Sequence, residues 1–217
     1  MPTTVENIQN SLTKRTLNYF FLLILLTFIT IGIIDKDYYV HLLREDSLAN
    51  WITFWMLVIA SFISFITAKT KSNQRIKLFF ILFGLFSLLG ALEEISWGQR
   101  VFDIKSTAFF NEYSDQNEIN LHNVAQKVFK IKTKHLAAVA LLFFGFIIPY
   151  CFEKGKLNFI KFLDKWVVFP KQHLYFGFIL GTIFMIDLPS KSEEEIGEMV
   201  YSICFVLFTF YNYGDDK

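Results

Sequence analysis

The chain has 217 residues, 53% of them hydrophobic and 19% charged, and Phe alone accounts for 27. Its 21 Lys and Arg nearly balance its 20 Asp and Glu. A mean hydropathy of +0.40 excludes a disordered chain, which needs low hydrophobicity and high net charge. With so balanced a charge, nothing suggests a nucleic-acid binder. Apolar blocks close to bilayer length exclude an ordinary soluble domain.

In chain order, the polar stretch Met1 to Lys14 lacks the small-residue cleavage site of a secretory signal. The apolar block behind it is too long for a signal core, so it reads as a retained anchor. Windows of about 19 residues mark six expected spans: 17–34, 48–68, 76–97, 136–152, 174–188 and 196–213. The fifth is short for the roughly 20 residues that cross a 30 Å hydrocarbon core. Each span must be helical, because lipid offers the backbone no hydrogen-bond partner. The expected fold is therefore all-α: one polytopic helical bundle over 1–217, with a polar connection at 98–135. Two connections have the alternation of an interfacial amphipathic helix. In one, Asn120, Asn123, Lys127, Lys130 and Lys134 oppose Leu121, Val124, Val128 and Ile131. The other runs from Lys156 to Phe169.

With the N-terminus inside, the inner connections carry twelve Lys and Arg against nine outside. That bias puts both termini in the cytoplasm. Basic inner segments suit anionic lipid, which attracts each cation by about 1 kcal/mol. The expected partners are the bilayer, anionic lipid, and a second copy or another membrane protein, with no nucleic acid. Cys151 and Cys204 lie inside apolar blocks and read as free thiols.

The most unusual stretch is Gly90 to Phe102, GALEEISWGQRVF. Glu93 and Glu94 close an apolar block, and Glu94 lies about 27 Å along a helix from Ile76. An acid at the edge of the hydrocarbon is costly and points to function. At helical spacing Glu93, Ser96, Trp97 and Arg100 share a face, so Arg100 can neutralise Glu93 while Glu94 points about 100° away. A paired carboxylate beside an unpaired one is the separation that acid–base chemistry needs. The alternative is that Glu93 and Arg100 pin a helix end and Trp97 is an interfacial belt residue.

A second polar cluster, Asn111 to Asn123, contains Glu118, Asn120, His122 and Asn123. A neutral imidazole can titrate near neutral pH or bind metal. Glu93, Glu94 and His122 are the metal candidates, for a divalent ion as the expected cofactor. Glu193 to Glu195 read as a first helical turn, with Ser192 and Glu195 as a capping box. Glu198, one turn deeper, and Asp187 have no such explanation; in a bundle they would face Glu93, Glu94 and Arg100 and complete an acidic outer vestibule.

GALEEISWGQRVF followed by Glu118-Ile119-Asn120-Leu121-His122-Asn123 resembles a motif pair of uncharacterised bacterial multi-pass membrane proteins. The resemblance implies that Glu93, Glu94, Trp97, Gln99, Arg100, Glu118, Asn120, His122 and Asn123 act as one unit, and it implies no activity. The residues themselves suggest an acid–base or metal-assisted enzyme at the outer leaflet, acting on a lipid or lipid-linked substrate. Glu93, Glu94, His122 and Arg100 would do the chemistry, with Trp97, Gln99, Asn120, Asn123 and Glu118 binding substrate. The alternatives are an ion or solute channel and a scaffold that docks a partner.

Overall fold

A computed structural model describes residues 4–44, 47–99, 101–114, 118–130, 132–156, 158–186 and 193–214. These residues are overwhelmingly helical, with no strand among them. The elements are α1 (Thr4–Ile34), α2 (Lys36–Leu42), α3 (Leu48–Thr70), α4 (Gln74–Glu94), α5 (Ala108–Tyr113), α6 (Leu121–Phe129), α7 (Thr133–Leu142), α8 (Ile148–Glu153), α9 (Tyr175–Phe184) and α10 (Glu194–Asn212). A π turn, Phe143–Ile147, joins α7 to α8. Four helical stretches are long and apolar enough to cross a membrane: Ser11–Ile34, Leu48–Thr70, Gln74–Glu94 and Thr133–Glu153. The expected fifth and sixth segments fall on α9, only 10 residues long, and on α10.

The fourth of these stretches contains Pro149 at the start of α8. Proline lacks an N–H and crowds the carbonyl four residues earlier. The π turn immediately before it widens the backbone there and keeps the helix continuous.

The helices pack as an arc. α4 lies on α3, α3 on α10, α10 on α9 and α9 on α7. Small and hydroxyl-bearing residues line the buried face of α3: Ala49, Thr53, Ala60, Ser64 and Thr67. They let backbones approach closely, which is how helices associate without a hydrophobic drive from water. Ser64 Oγ donates to the Phe80 carbonyl at 2.6 Å, bonding α3 to α4. Inside the arc Phe83 meets Phe205 edge-on at 5.1 Å and Phe208 at 5.2 Å, with Phe144 6.2 Å away. The outward faces stay apolar; Tyr19, Leu23, Ile33, Leu82 and Phe86 are all exposed.

The two ends of the arc differ in charge. At one end Lys71, though buried, donates Nζ to the Asn212 carbonyl at 2.8 Å. Arg75 there stacks on Trp166 with 4.4 Å to the ring centroid, and Lys14 reaches Gln172. The other end gathers the start of α3, the end of α4, the start of α7 and the start of α10, and it is acidic.

Three sequence expectations are corrected. The span expected to reach Trp97 ends at Glu94, because Ser96, Trp97 and Gly98 take left-handed φ values of 46°, 55° and 80°. The amphipathic helix expected over 120–134 is broken at Lys130, whose φ of 53° separates α6 from α7. The stretch expected to be amphipathic from Lys156 is a 3-10 helix over Asn158–Lys165. Cys151 and Cys204 are free thiols, as expected.

Candidate functional site

The left-handed turn after α4 sends the chain back over the acidic end, and the two sequence motifs meet there. Glu93 is the centre of the junction. Its Oε1 accepts from Trp97 Nε1 at 2.5 Å, and its Oε2 accepts from the His122 backbone N–H at 3.0 Å. Asn120 caps α6: its Oδ1 accepts from the Asn123 N–H at 3.0 Å, and its Nδ2 donates to the Glu93 carbonyl. Two first-turn donors of α6, which have no partner within the helix, are thus satisfied by side chains. A carboxylate there also opposes the positive end of the helix dipole.

The remaining motif residues continue the seam. Gln99 Oε1 accepts from the Ile119 N–H at 2.6 Å. Glu118 Oε2 accepts from Ser96 Oγ and from Asn123 Nδ2, each at 3.4 Å. Left-handed φ costs a non-glycine residue on the order of 1 kcal/mol, and the Trp97–Glu93 bond helps hold that conformation. Glu93→Ala should therefore loosen α6 by about 1–3 kcal/mol, the cost of an unmet donor to a charged group. Hydrogen–deuterium exchange of Leu121 to Phe129 checks this; exchange equal to wild type would show that the seam does not depend on Glu93. Arg100, the expected partner of Glu93, lies outside the described residues, as do Asp187 and Ser192.

Glu94 turns the other way, into a cavity of about 540 Å³ that Glu93, Glu118, Asn120, His122 and Asn123 also line. Its Oε2 accepts from Asn50 Nδ2 of α3 at 3.3 Å, and the same amide donates to Glu195 Oε2 of α10 at 2.7 Å. Glu94, Glu195 and Glu198 bring one carboxylate oxygen each within 4.8 Å of one another. That all-oxygen set suits a hard divalent cation such as Mg²⁺, Mn²⁺ or Ca²⁺. Among the described residues it is the only group so arranged. Of the three expected metal candidates, Glu94 belongs to this group, and Glu93 and His122 line the same cavity.

His122 lies in the cavity wall. Thr133 Oγ1 sits 3.0 Å from its ring nitrogens, and Gln126 contacts Nε2. Burial holds the imidazole below its ordinary pKa; Glu93 and Glu194 pull it up and Lys134 pushes it down. Burial thus favours the uncharged ring. Lys134 forms an ion pair with Glu194 at the rim.

Glu198 was expected to face Glu94, whereas Asn50 and Glu195 went unrecognised in the sequence as parts of that site. The available signal was the spacing of Glu195 and Glu198, three residues apart, which puts both on one face of α10. No protein-family model, curated protein or solved structure matches this chain.

Proposed function

We propose that this cavity is the active site of an integral membrane enzyme that uses acid–base chemistry assisted by a divalent cation on a lipid or lipid-linked substrate. The observation that carries the reading is the convergence of Glu94, Glu195 and Glu198 on one point of a cavity that His122 also lines. Three carboxylates this close repel one another, and a cation between them removes that repulsion. When bound, the cation supplies electrophilic assistance and a more acidic water. Glu94, Glu195 and Glu198 would hold it, and Asn50 orients two of the three. His122 accepts a proton as the neutral base, and Glu93 fixes the turn that carries it. Arg100 remains the candidate for an anionic headgroup.

In this reading α9 and α10 join the four apolar helices as six crossings, with both termini in the cytoplasm of a bacterial inner membrane. The Lys and Arg bias and the basic end support that orientation. The ring contacts of Phe83 with Phe144 and Phe205 between the helices favour an enzyme over a continuous pore.

The test uses the full chain reconstituted in vesicles of mixed phospholipids, followed by mass spectrometry of the lipids. Turnover is expected with Mn²⁺ or Mg²⁺, and a chelator should abolish it. Lipids that stay unchanged with every divalent ion would overturn the reading.

A further inference from the structure

α6 presents its two sides in the reverse of the usual order. On a surface helix that meets water, the apolar stripe packs inward and the polar side faces out. In α6 the polar residues His122, Asn123 and Gln126 line the cavity. Leu121, Val128 and Phe129 lie on another face and are exposed, Phe129 by 68%. At 100° per residue the centres of the two groups stand roughly 130° apart. The segment ahead of α6 shows the same outward apolar habit. Phe102, Ile104 and Phe109 are exposed, Phe102 by 74%, and α5, which carries Phe109, packs on α6.

What covers this face follows from its level. The His122 N–H donates to Glu93 Oε2 at 3.0 Å, and Glu93 is the penultimate residue of Gln74–Glu94, a stretch long enough to cross a membrane. The His122 ring lies 3.0 Å from Thr133 Oγ1, and Thr133 opens the second such stretch, Thr133–Glu153. α6 is therefore tied to the level at which two apolar helices end. Headgroups occupy about 5–8 Å beyond the hydrocarbon on each side, less than the width of one helix, about 10–12 Å. A helix fixed there lies within that layer, and the matter beside its outward face is lipid. Leu89 near the end of α4 and Leu136 near the start of α7 are exposed as well, so both neighbours also turn apolar side chains outward.

We propose that α6 and residues 101–114 seat in the headgroup–acyl boundary of the leaflet at the acidic end, and that this lipid contact holds His122 in the cavity wall. The partner is the bilayer itself. Amphipathic helices bind such a boundary through Leu and Phe on one side. Apolar contact is the drive. Lys105 and Lys130 are exposed beside these side chains, but so are Asp103 and Glu112, and the seat does not select for headgroup charge. The inference stands apart from the enzyme reading, because it concerns what covers the wall and holds whatever the cavity does.

The experiment places benzoylphenylalanine, a photoreactive phenylalanine, at Phe109 or Phe129 of the full chain, with Leu82 on the exposed face of α4 as the reference. Each protein is reconstituted in vesicles of phosphatidylcholine and, separately, of phosphatidylglycerol. Irradiation should give lipid adducts at both positions in both vesicles, with yields within about threefold of that at Leu82. The same proteins irradiated in native membranes should give lipid adducts too. Adducts to a second copy or to another protein in place of lipid, or no adduct, would overturn the seat. Yields that differ by more than about tenfold between the two lipids would overturn its indifference to charge. Val128→Ser combined with Phe129→Ser should raise amide exchange over residues 121–129 by at least about threefold in vesicles. Phe129→Leu should leave that exchange unchanged, and α3 should exchange as in wild type throughout. A face that met water would tolerate the two serines, so wild-type exchange in that variant would overturn the claim that the bilayer holds His122 in place.

Discussion

Glu198→Gln and Glu94→Gln are each expected to abolish divalent-dependent lipid turnover and to weaken Mn²⁺ binding about 100-fold, roughly 2.8 kcal/mol at 1.4 kcal/mol per decade. Each substitution keeps the side-chain shape and removes one anionic ligand from a set whose oxygens lie within 4.8 Å. Titration followed by the electron paramagnetic resonance of Mn²⁺ measures the affinity directly. A second readout is thermal. A ligand at 100 times its dissociation constant stabilises the folded state by about 2.7 kcal/mol, so Mn²⁺ should raise the melting temperature of the wild type and not of either variant. Glu118→Gln is the control. Its carboxylate is engaged by Ser96 and Asn123, and its Mn²⁺ affinity should stay within about twofold of wild type. If Glu118→Gln and Glu198→Gln behave alike, the ion is held by diffuse rim charge and not by the triad.

Gly145→Ala should be the most damaging single-methyl change in the chain, at about 3 kcal/mol. Gly145 sits in the middle of the π turn, and a Cβ there would lie 2.0 Å from the ring of Phe178. Phe178 is wholly buried and also touches Phe144, Tyr201 and Phe205. The ring therefore has no free direction in which to yield. Overpacking of this kind typically costs 1–3 kcal/mol, and the loss of close helix contact adds to it. Unfolding in mixed detergent micelles checks the value. Phe178→Leu in the Gly145→Ala background should recover a large part of the loss, the signature of coupled neighbours. Unfolding that matches wild type would mean that the junction of α7, α8 and α9 repacks freely.

The legible parts of this molecule were those with a local signal. Four uninterrupted apolar stretches announce their helices, because nothing but a helix satisfies a backbone in lipid. The two polar motifs were legible as a pair, and the hydrogen bonds that join Glu93 to His122 and Gln99 to Ile119 give that pairing its physical content. The illegible parts depend on conformation or distance. Ser96 and Trp97 adopt left-handed φ without being glycine, so no residue type advertised the end of α4 at Glu94. Lys130 breaks α6 in the same way. Glu195 had a sufficient local explanation as a helix-start acid, and that explanation concealed its approach to Glu94. The meeting of Asn50, Glu94 and Glu195 spans up to 145 residues of chain, and only the packing of α3 between α4 and α10 brings it about.

The adjacent acids at the end of α4 hold unlike offices, one fastening a turn and the other facing the cavity, and what separates them is 100° of helix rotation per residue. Inserting a single residue anywhere between Ile76 and Leu92 would rotate the doublet by that angle. Glu93 would then swing toward Asn50 while the segment carrying His122 lost its mooring. Register along α4, and not merely the presence of two carboxylates, is thus what a length-altering change would destroy, even where every apolar contact with α3 could be remade.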